Sequence, residues 1–254
     1  MNSGNFSQRL KNGQQVIGTW LTLPSPMAAE VIASAGLDFA IIDLEHGPHS
    51  YSEAAAISMA IEGRGSTPLI RVPENQDWMI LRGLEIGTHG LVVPQITNSE
   101  EAKSAVRAAK YHPMGHRGFS PFSRSGGYNA EGVGGLAERK NAETTTILLV
   151  EGVTGIDNLD SILDVEGIDV IYLGTYDISQ SVGMPGETNH PKVVSFVEDC
   201  VVRIRDRNIA AGCLAQSKED IDRWKRIGIQ FIAFAADCSL LYNACADLRR
   251  MFDE

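Results

Sequence analysis

Residues 39–47 read Phe-Ala-Ile-Ile-Asp-Leu-Glu-His-Gly. The run Phe39–Leu44 is apolar on successive positions except Asp43 and does not alternate with polar residues. That pattern suits a strand covered by helices on both faces, as in a parallel sheet. Asp43, Glu45 and His46 then crowd its C-terminal end. Seven further short runs share the pattern: Gly18–Leu23, Leu69–Val72, Leu91–Pro94, Ile147–Glu151, Val170–Gly174, Ala211–Ala215 and Phe231–Ala235.

Helical stretches separate these runs. Ser25-Pro26 supplies an N-cap and first-turn proline for Met27–Ala35, closed by Gly36. Tyr51–Glu62 ends at Gly63. Asn98-Ser99-Glu100-Glu101 opens another helix with acids in its first turn, where the helix dipole favours them. Asn158–Asp164, Val193–Asp206, Lys218–Ile227 and Leu240–Phe252 complete the set. Eight strands alternating with helices in 254 residues point to an α/β fold of the (β/α)8 TIM-barrel type. The alternative, an open doubly wound sheet, lacks a GxGxxG or GxxxxGK[ST] turn after any strand. The connection Gln95–Thr146 contains a Gly-, Ser- and Arg-rich stretch, Gly115–Tyr128, that reads as a functional loop leaving the fourth strand at the active rim. Its Arg124 is expected to meet a distal anionic group of the substrate, and Arg117 to brace the loop. The C-terminal helix is long enough to pack on a neighbouring subunit.

Composition narrows the function. The net charge of −10 argues against nucleic-acid or anionic-membrane partners, which require clustered cations. No apolar run approaches membrane-spanning length, and Met1–Gln15 lacks the apolar core of a signal peptide. Cys200, Cys213, Cys238 and Cys245 form no CxxC pair and read as buried free thiols, which fits a reducing cytoplasm.

The chemistry of such a barrel lies where its strands end. Trp20, Asp43, Glu45, His46, Arg71, Gln95, Glu151 and Asp177 fall at those positions. Charged groups converging there are costly to bury without a purpose. The seven lysines all fall in helices or loops, which argues against a Schiff base. Glu151 and Asp177 suit a hard divalent ion that polarises a carbonyl oxygen. With the Arg and His beside them, the set reads as a site that stabilises an enolate.

The pieces IDLEHG (Ile42–Gly47), RVP (Arg71–Pro73), GLVVPQ (Gly90–Gln95), YHPMGHRG (Tyr111–Gly118), VEGVTGIDN (Val150–Asn158) and YLGTYDISQSVG (Tyr172–Gly183) together resemble the HpcH/HpaI aldolase family. The resemblance runs from about Phe6 to Leu241. It implies one barrel domain over residues 1–254, acting as a class II aldolase that cleaves a 4-hydroxy-2-oxo acid reversibly to pyruvate and an aldehyde. It also implies a divalent ion (Mg²⁺ or Mn²⁺, with Co²⁺ a further candidate), no organic cofactor, and a homohexamer with an exchanged C-terminal helix. By position, Glu151 and Asp177 would hold the metal, and backbone N–H groups of Gly174, Thr175, Tyr176 and Asp177 the substrate carboxylate. Arg71 would stabilise the enolate oxygen, and His46 would relay a proton, oriented by an acid such as Asp43 or Glu85. Trp20 and Arg124 would complete the substrate pocket.

The chain departs from the family pattern at several places. Leu149 stands where the family usually has Gln, and Gly152 where it has Thr or Ser. Glu85 replaces an Asp held to pair with the His, and Thr175 and Tyr176 replace small residues. These changes leave open a different enolate, such as oxaloacetate decarboxylation or a citrate-forming condensation. A non-catalytic barrel would have no use for His46, Arg71, Glu151 and Asp177, all of which are present.

Overall fold

Strands β1 (Val16–Leu21), β2 (Phe39–Asp43), β3 (Thr67–Arg71), β4 (Gly90–Val93), β5 (Thr145–Val150), β6 (Val170–Leu173), β7 (Ala210–Ala215) and β8 (Phe231–Ala236) pair in parallel in chain order. β1 also pairs with β8, so the sheet closes into a barrel. Each apolar run read from the sequence carries one strand. The computed structural model describes residues 6–253; residues 1–5 and 254 lie outside the described residues, and with them the start of the Met1–Gln15 stretch.

The helices are α1 (Phe6–Lys11), α2 (Pro26–Ser34), α3 (Tyr51–Glu62), α4 (Asp77–Glu85), α5 (Ser99–Ala109), α6 (Leu136–Glu143), α7 (Val153–Asp157), α8 (Leu159–Leu163), α9 (Thr175–Ser181), α10 (Pro191–Asp206), α11 (Lys218–Ile227) and α12 (Asp237–Asp253). Local signals place several of them. The Ser25 side chain accepts from the Ala28 N–H, and Ser50 and Glu53 form a reciprocal capping box. Asn98 accepts from the N–H groups of Glu100 and Glu101. Helices α1, α4, α6, α7 and α9 were not evident from sequence. α4, for example, starts after Gln76 without a side-chain cap and carries Gly83 inside it.

Two cores result. One lies between sheet and helices; the other fills the barrel interior. Phe6 and Leu10 of α1 belong to the interior core, so α1 plugs the end where the strands begin. There Phe39 and Phe231 stack with ring centres 4.1 Å apart, and the Phe6 ring meets both edge-on.

The structure corrects the placement of the long connection. Helix α5 carries the chain from the C-terminal ends of the strands back to their N-terminal ends. The loop after it therefore lies at the opposite end of the barrel from the strand-end carboxylates. Arg124 pairs with Glu62 at the end of α3 and lies against Gly87, just before β4. Arg117 is buried, donates to Glu85 (2.8 Å) and to Ser125 (2.9 Å), and braces this loop. The cysteines also divide differently from expectation. Cys200 and Cys213 are buried, but Cys238 and Cys245 are exposed on α12, because α12 turns much of its surface outward.

Close packing of the barrel makes Gly18 irreplaceable. A Cβ there would fall 2.3 Å from the Phe39 carbonyl oxygen and 2.4 Å from its ring. Overpacking of this kind costs about 1–3 kcal/mol. Gly18→Ala should therefore lower the denaturation midpoint clearly. Gly134→Ala, with nothing within 4 Å, should leave it nearly unchanged.

Candidate active site

A cavity of about 680 Å³ opens at the C-terminal ends of the strands. Its walls include Trp20, Asp43, His46, Arg71, Glu151, Gly174, Thr175, Tyr176 and Asp177. Of the strand-end residues singled out by sequence, Trp20, Asp43, His46, Arg71, Glu151 and Asp177 line this one surface, whereas Glu45 and Gln95 do not. No lysine lines it among the described residues.

Register builds its centre. Asp43 ends β2 directly beside Arg71 at the end of β3. Arg71 Nε donates to Asp43 Oδ1 at 2.8 Å, Nη2 donates to Oδ2 at 2.5 Å, and Nη1 lies 3.0 Å from Glu45 Oε2. Only the two bonds to Asp43 are hydrogen bonds; the Glu45 contact is an ion pair, so three of the five guanidinium N–H bonds have no acceptor among the described residues. Burial works against the charge on Arg71, but the bonds and charge of Asp43, then Glu45 and Glu151, raise its pKa above the ordinary value. The guanidinium also lies over the Trp20 ring, 4.4 Å from its centre. Asp43 Oδ1 further accepts from the backbone N–H groups of Glu45 (3.0 Å) and His46 (3.2 Å). Asp43 is thus a positioning group: it holds Arg71 and shapes the turn that presents His46.

The carboxylates lie across the cavity. Glu151 follows β5, and its Oε1 accepts from the Gln95 N–H at 2.7 Å. Gln95 reaches that position with φ of +57°, a left-handed conformation that non-glycine residues seldom adopt. Sequence placed Gln95 at a strand end but gave no hint of this backbone contact. Gly174 must lack a side chain, because a Cβ there would come 2.5 Å from Glu151 Cβ. Asp177 sits in the first turn of α9, where the N–H groups of Thr175, Tyr176 and Asp177 have no partner within the helix. The Tyr176 hydroxyl accepts from the Gln216 amide at the rim.

Burial raises the Glu151 pKa to about 7; the Gln95 N–H opposes the shift, and the charges of Asp177 and Glu45 add to it. Asp43, Glu45 and Glu151 thus act on one guanidinium, and Asp177 acts on Glu151. Among the described residues no three His, Cys, Asp or Glu side chains gather as a metal site. Two carboxylates with open positions still fit a hard divalent ion completed by other oxygens.

The structure does not bring every expected residue here. Glu85 is occupied by Arg117 at the far end of the barrel, and Arg124 by Glu62. Neither reaches His46 or the cavity of its own chain, because both follow from helices that have returned to that end. Sequence reading also missed Tyr172, which lines the cavity from β6. Its one signal was a polar aromatic inside the apolar run.

The family model for HpcH/HpaI aldolase/citrate lyase matches residues 16–244. This chain belongs to that family. It is 34% identical over 249 residues to a 4-hydroxy-2-oxo-heptane-1,7-dioate aldolase of Escherichia coli, covering 98% of this chain and 94% of that one. It is 33% identical to a hydroxypyruvate/pyruvate aldolase of Roseobacter denitrificans, covering 94% of this chain and 93% of that one. A crystal structure of the citrate synthase SbnG superposes with a TM-score of 0.87 at 30% identity, covering 98% and 99% of the two chains. In each comparison nearly the whole barrel matches.

The raised pKa of Glu151 has a measurable consequence. Its folded-state value lies above the ordinary 4.5, so without metal the fold favours the protonated acid. That contribution to stability is full below pH 4.5 and disappears as pH rises through about 7. A divalent ion needs the carboxylate, so binding must release this proton at lower pH. Calorimetric titration with Mn²⁺ should show affinity falling about tenfold per pH unit below pH 7. In Glu151→Gln that slope should vanish along with most of the affinity.

Proposed function

We propose that this enzyme catalyses reversible, metal-dependent aldol cleavage of a 4-hydroxy-2-oxo acid to pyruvate and an aldehyde. One observation carries the reading: the Arg71 guanidinium, fixed by Asp43 and Glu45, shares a cavity with Glu151 and Asp177. Breaking the C3–C4 bond of such an acid leaves a pyruvate enolate, and electrophiles on both sides of the cavity suit that charge. Glu151 and Asp177 would hold the divalent ion, Mg²⁺ or Mn²⁺, which supplies Lewis-acid polarisation of the 2-oxo group.

The chain's own residues do the rest. The N–H groups of Thr175, Tyr176 and Asp177 bind the substrate carboxylate as first-turn donors do. Arg71 offers its free N–H bonds to the enolate oxygen as charge develops there, a role worth roughly 10²–10³ in rate. His46, on the turn set by Asp43, holds or accepts the proton of the 4-hydroxyl. Thr22, Gln216, Ser239 and Asn243 form an uncharged polar wall for the aldehyde end. A second reading, condensation on oxaloacetate, has the 30% identical citrate synthase in its favour.

The working unit is a homo-oligomer built on one barrel domain over residues 1–254. A groove of about 370 Å³ with apolar lining, including Ile17, Ile32, Leu37, Ile221 and Phe234, runs outside β1 between α2 and α11. Helix α12 instead projects Leu241, Tyr242, Leu248, Met251 and Phe252 into solvent. Apolar surface on that scale marks an interaction face, and a partner's α12 fits the groove.

Two experiments test the activity and the assembly. A panel of 4-hydroxy-2-oxo acids should release pyruvate only with a divalent ion, and EDTA or Glu151→Ala should abolish release. Condensation of oxaloacetate with an added acetyl donor, faster than turnover of any hydroxy acid, would transfer the assignment to the second reading. Separately, removal of residues 240–254 should lower the number of subunits per particle found by light scattering, and an unchanged number would refute the α12 contact.

A further inference from the structure

Tyr172 is 3% exposed and points into the barrel, where its side chain lines the floor of the cavity beside Trp20, Arg71 and Leu149. Its seat is built for it. Gly212 stands opposite on β7, and a Cβ there would come 2.9 Å from Tyr172 Cδ2. The ring packs edge-on against Trp20 (5.7 Å) and Phe231 (6.0 Å). The hydroxyl oxygen accepts from Trp20 Nε1 at 3.3 Å. Its own proton has no acceptor among the described residues. A buried donor left without an acceptor is costly, and such groups in a cavity ask for a ligand.

The surroundings say which ligand oxygen. Trp20, which donates to Tyr172, also lies beneath the Arg71 guanidinium. The hydroxyl and the guanidinium thus share one wall through a single indole. Burial pushes the Tyr172 pKa well above the ordinary value, against the Trp20 bond and the Arg71 charge, so the group stays a neutral donor. Its neighbour in register on β5 is Leu149, which has no polar atom to offer.

We propose that the Tyr172 hydroxyl donates a hydrogen bond to the bound 2-oxo acid, at the oxygen that Arg71 also faces, and so supports enolate formation. This rests on the pyruvate-enolate reading above. It makes Tyr172 a catalytic residue of this chain, supplying from β6 a polar contact that Leu149 does not supply from β5.

The test is exchange of pyruvate methyl protons with D₂O, followed by NMR with Mn²⁺-free, Mg²⁺-loaded protein. Tyr172→Phe keeps the ring and its packing but leaves the Trp20 N–H without its acceptor, so the melting midpoint should fall by only a few degrees. Loss of one donor to a developing anion should slow exchange about 10- to 100-fold. Leu149→Gln in the Tyr172→Phe background returns a donor to the neighbouring strand and should recover part of the rate, which a purely structural role would not allow. Normal exchange in Tyr172→Phe overturns the proposal. So does normal exchange combined with slow carbon–carbon bond formation, which would assign the hydroxyl to the aldehyde. Should Tyr172→Phe melt early, Gly212→Ala, which displaces the ring but keeps the hydroxyl, must slow exchange, and a normal rate there overturns the proposal equally. A wild-type enzyme that exchanges no pyruvate protons removes the pyruvate reading itself and this inference with it.

Discussion

The paired bonds between Arg71 and Asp43 hold the site together. They form because β2 and β3 place these two residues at the same level of the barrel. Both are buried, so neither charge could be kept without the other. Removing one partner of such a pair typically costs about 3–5 kcal/mol. The same carboxylate accepts from the Glu45 and His46 N–H groups, and the Leu44 N–H donates to the Arg71 carbonyl. Strand register, guanidinium orientation and histidine presentation are therefore one structural event.

The opposite wall is set under tension. Glu151 is brought against Gly174, near Asp177 and Glu45, and is held by an N–H from a left-handed Gln95. Ala235, also on the cavity wall, has a φ of +50°. Unfavourable backbone at two rim positions and an excess of carboxylates are tolerated only when the surrounding fold over-determines them. A closed barrel of eight strands does that. A divalent ion would relieve the charge and leave the geometry in place.

The sequence made the barrel legible because its strands are buried on both faces, so apolar runs and cap residues mark them directly. Asp43, His46, Arg71, Glu151 and Asp177 were legible for a related reason: charge at the end of an apolar run is costly to bury unless a site uses it. Glu85 was misplaced because it ends α4, which has already carried the chain back to the start of β4, and Arg124 because a loop carries no record of which end of the barrel it occupies. For Arg124 that end is decided by α5, whose length reverses the chain. Tyr172 was hidden by its own strand, since inward and outward positions cannot be told apart in a run that is apolar throughout. Helix α9 was missed because Gly174 provides no side-chain cap.

The proposed chemistry stands or falls with a divalent ion gathered by Glu151 and Asp177 across the cavity from Arg71. Anomalous diffraction at the manganese edge, from crystals grown with Mn²⁺ and pyruvate, would locate that ion. One strong peak should lie beside the Glu151 and Asp177 carboxylates, with pyruvate density in the same cavity as the Arg71 guanidinium. A peak held elsewhere, or pyruvate bound between the same residues with no anomalous signal beside it, would contradict this arrangement.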